Sequence, residues 1–216
     1  MKAIEEIRDK VLGDVFDYTQ LMHILSHYSK PRDVVTILLK QQQIIRIKKG
    51  LYIFGSVYQH SVVSLEYIAN IIYGPSVISL DYALSWYGLI PERVNTITSL
   101  TTGRSREFNT PLSKFTYCQL SKKRFSTGIM RQSNQSGSFL IANPLKALSD
   151  KVWTDSRFKP NSVSSYSNYL FMDLRIDETI LKSFIDPTTL DNIGKAYSTR
   201  KINWLVEFLL NYSKIN

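Results

Sequence analysis

Lys30, Arg32, Asp33 and Thr36 crowd into one short stretch, SKPRDVVT. Side chains of these types read base edges when a helix presents them. An arginine fork donates two hydrogen bonds to guanine, and the methyl of a threonine touches that of thymine. With Ser29 they are the candidates for base-edge contact. Arg32 carries the DNA contact in this reading, with base or phosphate left open and pairing with a nearby acid as the alternative. Lys30 and Lys40 are assigned to phosphates, which position a protein without specifying sequence. Arg46, Lys48 and Lys49 follow in RIKKG and are expected to meet the backbone or the minor groove. Tyr52 either reaches a phosphate through its hydroxyl or packs beneath that segment.

Groupings for catalysis are weaker. His23 and His27 are four apart, a ligand spacing on a helix, but no carboxylate between them completes a metalloprotease pattern. His60 adds nothing to them. Asp81, Glu92 and Glu107 lack the Glu-X-Lys-like triplet of a nuclease core, and no phosphate-binding glycine loop is present. Cys118 sits in an apolar strand and reads as a packed thiol. The expectation is a protein that is not an enzyme, with no metal and no cofactor.

The elements that must position the first group are legible. A first helix over residues 3–12 has Ile4, Ile7, Val11 and Leu12 on one face, with Gly13 ending it. Thr19 is read as the N-cap of a second helix carrying Leu21, Ile24, Leu25 and Tyr28. Pro31 fits the first turn of a third. Val34, Val35, Leu38 and Leu39 are its buried face; Lys30, Arg32, Asp33, Thr36, Lys40 and Gln41 point outward. The period then changes to alternation. Ile45 and Ile47 face one way, Arg46 and Lys48 the other, and Lys49-Gly50 turns the chain into Leu51–Phe54. Helix, turn, helix and basic hairpin describe a winged helix-turn-helix, a device for holding duplex DNA.

Beyond it, a helix over 61–73 (Val62, Leu65, Ile68, Ala69, Ile72) and a strand over 76–80 are expected. A helix over 81–87 ending at Gly88, then strands over 94–100, 112–120 and 139–142, continue the series. A loop is expected over 102–110. Asn143-Pro144 starts a helix through Trp153, and short helices follow from about Ser162. The fold class is thus α+β: an N-terminal winged helix-turn-helix domain over residues 1–57, then a mixed α/β domain over 58–216.

Charge supports a polyanionic partner. The 216 residues carry a net charge of +9. Residues 100–160 hold 11 basic and 3 acidic side chains, and residues 1–60 hold 9 and 6. Basic patches attract nucleic acid and gain from counterion release. Arg104, Arg106, Lys122, Lys123, Arg124 and Arg131 form a second basic patch with three open readings: an extended DNA footprint, a negatively charged partner, or plain solvation. The single cysteine rules out an internal disulfide and fits a reducing cytoplasm. The first residues lack the apolar core of a signal peptide. No apolar run is long enough to span a bilayer, so no membrane partner is expected.

Several segments together resemble the AbiEi-type antitoxins of abortive-infection, type IV toxin–antitoxin systems. QQQIIRIKKGLYIF is similar to the third helix and wing of that family, whose basic wing runs into Gly-X-Tyr. SVISLDYALSWYGLIPERVNTITSLTT is similar to the start of its second domain, where a helix (here Ser79–Leu84) leads to Gly88-Leu89 and Pro91. FLIANPLKALSDKVW is similar to its proline-started helix with Lys146-Ala147-Leu148 and Asp150. The likeness covers residues 1 to about 155. It departs at the Lys30-Pro31 step, and the C-terminal segment carries no family pattern. The resemblance implies a cytoplasmic bacterial transcriptional (auto)repressor that binds an inverted repeat in its own promoter. It also implies an antitoxin acting against a nucleotidyltransferase-like toxin, functionally rather than through a necessary stable complex. The alternatives are a DNA-binding protein whose second domain is a nuclease or other DNA-processing enzyme, and a regulator with no toxin.

Overall fold

A computed structural model describes residues 2–214, which form a mixed α+β molecule with eleven α-helices and two sheets. The N-terminal region contains α1 (Ala3–Lys10), β1 (Val15–Asp17), α2 (Tyr18–Ile24), α3 (Pro31–Lys40), β2 (Ile44–Lys48) and β3 (Leu51–Phe54). Its antiparallel sheet runs β1-β3-β2.

Local chemistry sets the boundaries. Asp17, not Thr19, caps α2: its carboxylate accepts from the Gln20 N–H at 2.8 Å, and its own N–H donates to Gln20 Oε1 at 3.0 Å. Helix α1 ends at Lys10, before Gly13. The Arg8 guanidinium draws the carbonyls of Val11 and Gly13 to 2.6 Å each, holding residues 11–13 out of the helix. Leu12, expected on the buried face, is therefore 98% exposed. Tyr28 lies past the end of α2 and is half-buried.

The β2–β3 hairpin has two buried faces. Ile44, Tyr52 and Phe54 join Ile4, Leu21, Leu25 and Leu38 in the N-terminal core. Ile47, Leu51 and Ile53 join a second core with Ile68, Ile72 and Phe115. A hairpin buried on both sides cannot slip register without exposing one apolar set. Gly50 makes its turn at φ +85°, where a side chain would be strained.

The larger region opens with α4 (Leu65–Ile72). Ser64 caps it, accepting from the Tyr67 N–H at 3.1 Å, so the helix starts later than expected and Val62 is 88% exposed. There follow β4 (Ser76–Ile78), α5 (Leu80–Trp86), β5 (Ile97–Thr101), β6 (Arg106–Asn109), β7 (Lys114–Gln119), α6 (Lys122–Phe125), β8 (Ile129–Asn134) and β9 (Gly137–Ala142). The sheet order is β6-β7-β5-β4-β9-β8. Pairs β4–β9 and β5–β7 are parallel and the rest antiparallel. Strand β6 falls in the expected loop and β8 has no counterpart in the sequence reading. Both are edge strands, largely exposed, so neither needs a clear apolar alternation.

Helix α7 (Pro144–Thr154) is the centre of this region. Pro144 to Asp150 and Val152 are buried, with α5, α10 (Pro187–Tyr197), α11 (Arg200–Tyr212) and β9 around it. The remaining helices are α8 (Ser165–Asn168), a π-helical turn (Tyr169–Asp173) and α9 (Glu178–Phe184). No helix among the described residues is long and apolar enough to cross a membrane.

Candidate nucleic-acid interface

Helix α3 has one buried stripe, Val35 and Leu38, flanked by half-buried Val34 and Leu39. With the stripe facing the core, Lys30, Arg32, Asp33, Thr36, Lys40 and Gln41 are exposed, as is Ser29 ahead of them. Arg32, Thr36 and Lys40 form one row at i, i+4 spacing. The Thr36 hydroxyl donates to the Arg32 carbonyl at 3.0 Å, which leaves its methyl free to face outward. The ion pairs among the described residues lie elsewhere, and no carboxylate is within pairing distance of Lys30, Arg32, Lys40, Arg46 or Lys49. Pairing of Arg32 with an acid is not observed.

The hairpin differs from its expected alternation. Arg46 pairs opposite Tyr52, but Lys48 pairs opposite Leu51 across a bulge. The extra residue moves Lys48 from the face of Arg46 to that of Leu51, so Lys48 does not point outward. Its ammonium donates to the Ile72 carbonyl and lies 5.7 Å from the centre of the Phe108 ring. Burial, and then the nearby Arg106 cation, hold its pKa below the usual lysine value. Arg46 and Lys49 remain exposed. Tyr52 is 5% exposed and packs beside Phe16, ring centres 6.1 Å apart. Burial raises its hydroxyl pKa.

The second basic patch is not one patch. Arg106 lies on edge strand β6 with Arg104 just before it, and its guanidinium sits 5.6 Å from the Tyr73 ring centre. This pair adjoins the hairpin through Lys48. Arg131 lies on β8 at the opposite edge of the sheet, where it donates to Ser138 at 2.9 Å. Lys122, Lys123 and Arg124 lie on α6. Arg124 is engaged internally: it donates to the Tyr197 carbonyl at 3.1 Å and lies 4.0 Å from the Trp153 ring centre. The run KKR in sequence thus gives two open cations and one packing group.

The residues weighed for catalysis stay apart. Asp81 pairs with Lys151 at 2.6 Å, Glu92 with Arg175 at 2.8 Å and Glu107 with Lys114 at 2.8 Å. His27 meets Glu6 at 3.3 Å. Among the described residues, no three His, Cys, Asp or Glu gather as a metal site would require. Cys118 packs near Leu80, Leu100 and Leu120, and burial raises its thiol pKa.

One polar cluster stands out inside the larger region. Asp150 receives Lys146 Nζ at 2.6 Å and Ser79 Oγ at 2.7 Å, and it also accepts from the Tyr197 hydroxyl. Lys146 also donates to the Tyr197 oxygen at 2.8 Å. Burial drives both charges toward neutrality, raising Asp150 and lowering Lys146, while their mutual attraction opposes it. Ser79, Lys146 and Asp150 are 0% exposed, so no substrate reaches them as folded. The cluster ties the start of α5 to α7 and α10.

Neither the buried nor the outward set expected for α3 includes Ile37, which is 51% exposed on the outward arc. A signal existed: Val35 and Leu38 define the stripe, and the 100° step per residue puts Ile37 outside it. Compared with known proteins, the chain matches no family model and no curated protein.

Proposed function

We propose that the protein is a sequence-specific, double-stranded DNA-binding transcriptional autorepressor, and the antitoxin of an abortive-infection toxin–antitoxin pair. In this reading residues 1–57 are a winged helix-turn-helix, α3 enters the major groove, and β2–β3 is the wing. One observation carries it: Lys30, Arg32 and Lys40 at α3 and Arg46 and Lys49 on the hairpin are exposed and form no ion pair among the described residues. Unpaired clustered cations repel one another, and a phosphate backbone relieves that repulsion while releasing counterions. Arg106 beside Lys48 extends the positive surface from the wing toward Arg104, which favours a longer DNA footprint over an unrelated second patch. The antitoxin role rests on the resemblance to AbiEi-type proteins. Its partner is a nucleotidyltransferase-like toxin, opposed functionally rather than by an obligatory complex.

The test is a gel shift and footprint on the protein's own upstream region, across a salt series, with and without Mg²⁺. A discrete footprint on an inverted repeat with the DNA left intact supports the repressor. Sequence-blind binding overturns it. Cleavage that depends on Mg²⁺ replaces it with the DNA-processing alternative.

A further inference from the structure

Ile37 is the apolar side chain on an otherwise polar surface of α3. It follows Asp33 by four residues, one turn along the same face, with Lys40 and Gln41 exposed beyond it. A lone exposed isoleucine is common on protein surfaces. Its place sets this one apart. It is half-exposed on the outward arc of α3, on the row between Asp33 and Gln41 and beside Thr36 and Lys40, on the helix that would meet DNA.

In the major groove one base presents a methyl group, the 5-methyl of thymine. We propose that Ile37 is a specificity-determining residue that packs on the 5-methyl of a thymine in the operator, so that one position of the site is read by shape and apolar contact. The proposal rests on the DNA-binding reading above. It differs from the roles of Arg32 and Thr36, which need hydrogen bonding or a different row of the helix. Ile37 lies outside the Val35–Leu38 stripe, so removing its side chain leaves the N-terminal core intact.

Deoxyuridine gives a clean probe. It keeps every hydrogen-bonding group of thymine and lacks only the methyl. Burying one methyl-sized group corresponds to roughly a fourfold change in affinity. The duplex that the wild-type protein prefers is first selected from a random library. Each thymine in it is then replaced singly by uracil, and binding is measured for the wild type and for Ile37→Ala, whose fold is checked by circular dichroism. The expected result is one thymine whose replacement weakens wild-type binding about fourfold and leaves the binding of Ile37→Ala unchanged. If the wild type selects a duplex but Ile37→Ala loses affinity equally on every uracil variant, the Ile37 contact is overturned and the DNA reading survives. If the wild type selects no duplex, the DNA reading falls and the contact with it.

Discussion

Helices α3 and α7 both begin on a proline and both carry basic and acidic side chains, yet they use them oppositely. On α7, Lys146 and Asp150 are sealed, and their charged atoms have partners inside the chain. On α3, Arg32 and Lys40 stand in solvent and form no ion pair among the described residues. Residue type does not separate the two helices; the surroundings do. Desolvating a charge is expensive, so a buried pair becomes part of the fold and breaking it is costly. A solvated cation contributes little to the fold and keeps its capacity for an outside anion.

The largest effect breaks the buried side. Asp150→Ala leaves the Lys146 ammonium buried without its counter-charge and should cost about 3–5 kcal/mol in urea unfolding. Replacing both members by apolar residues, Lys146→Met with Asp150→Leu, should recover part of that loss, because an apolar pair needs no desolvation, while the buried Ser79 and Tyr197 hydroxyls that donate to Asp150 lose their acceptor. A loss below about 1 kcal/mol for the single change, the size of an ordinary surface pair, would remove the contrast with α3.

The next effect breaks the exposed side. Arg32→Ala should weaken operator binding by about 1–3 kcal/mol if the guanidinium reads a base. Its unfolding free energy should stay within about 0.5 kcal/mol of wild type, as for a surface substitution. An unchanged affinity at fixed salt would sink the Arg32 assignment. An equal loss on all duplexes would move Arg32 from base to phosphate.

The same contrast explains what was legible in the sequence. The outward set of α3 could be read because Val35 and Leu38 mark a stripe that leaves Arg32, Thr36 and Lys40 on the other side. Helix α7 has no such stripe. It is buried nearly all round, and periodicity cannot tell where Lys146 and Asp150 point when every direction is core. Ser79 and Tyr197 meet them from distant parts of the chain, which spacing cannot show. Alternation failed at Lys48 because a single-residue bulge inverts every face after it. The edge strands β6 and β8 escaped because pairing on one side leaves their outward residues free to be polar. The split of the second basic patch follows from sheet order: Arg106 and Arg131 lie 25 positions apart in sequence but on opposite edges.

A smaller effect sharpens the comparison within the hairpin itself. Arg46→Ala and Lys49→Ala should each weaken binding to all duplexes and lower the slope of log affinity against log salt by about one. Lys48→Ala should change the slope less, since its ammonium is held by the Ile72 carbonyl, and it should lower fold stability where the other two do not. Equal slopes for all three variants would mean that Lys48 swings out to DNA and that its inward placement is not the bound arrangement.

The smallest effect is a pH dependence at Asp14, which links the N-terminal region to the segment that follows β3. Burial raises this carboxyl, but the His60 N–H at 3.0 Å, Arg8 at 2.7 Å and the Ser61 N–H at 3.1 Å outweigh it and hold the pKa below the ordinary 3.8. As pH falls, the unfolded chain takes up this proton before the folded one. The stabilisation is therefore complete above the ordinary value and is lost as pH drops through the lowered one. Asp14→Asn keeps the shape and discards the charge. Its unfolding midpoint should lie below wild type at neutral pH, and the gap should close on acidification. Arg32→Ala, on the solvated face, should track the wild-type curve throughout. A gap for Asp14→Asn that stays constant into strong acid would mean that the contacts to residues 60–61 survive without the charge, and that this junction is held by packing of the two-faced hairpin alone.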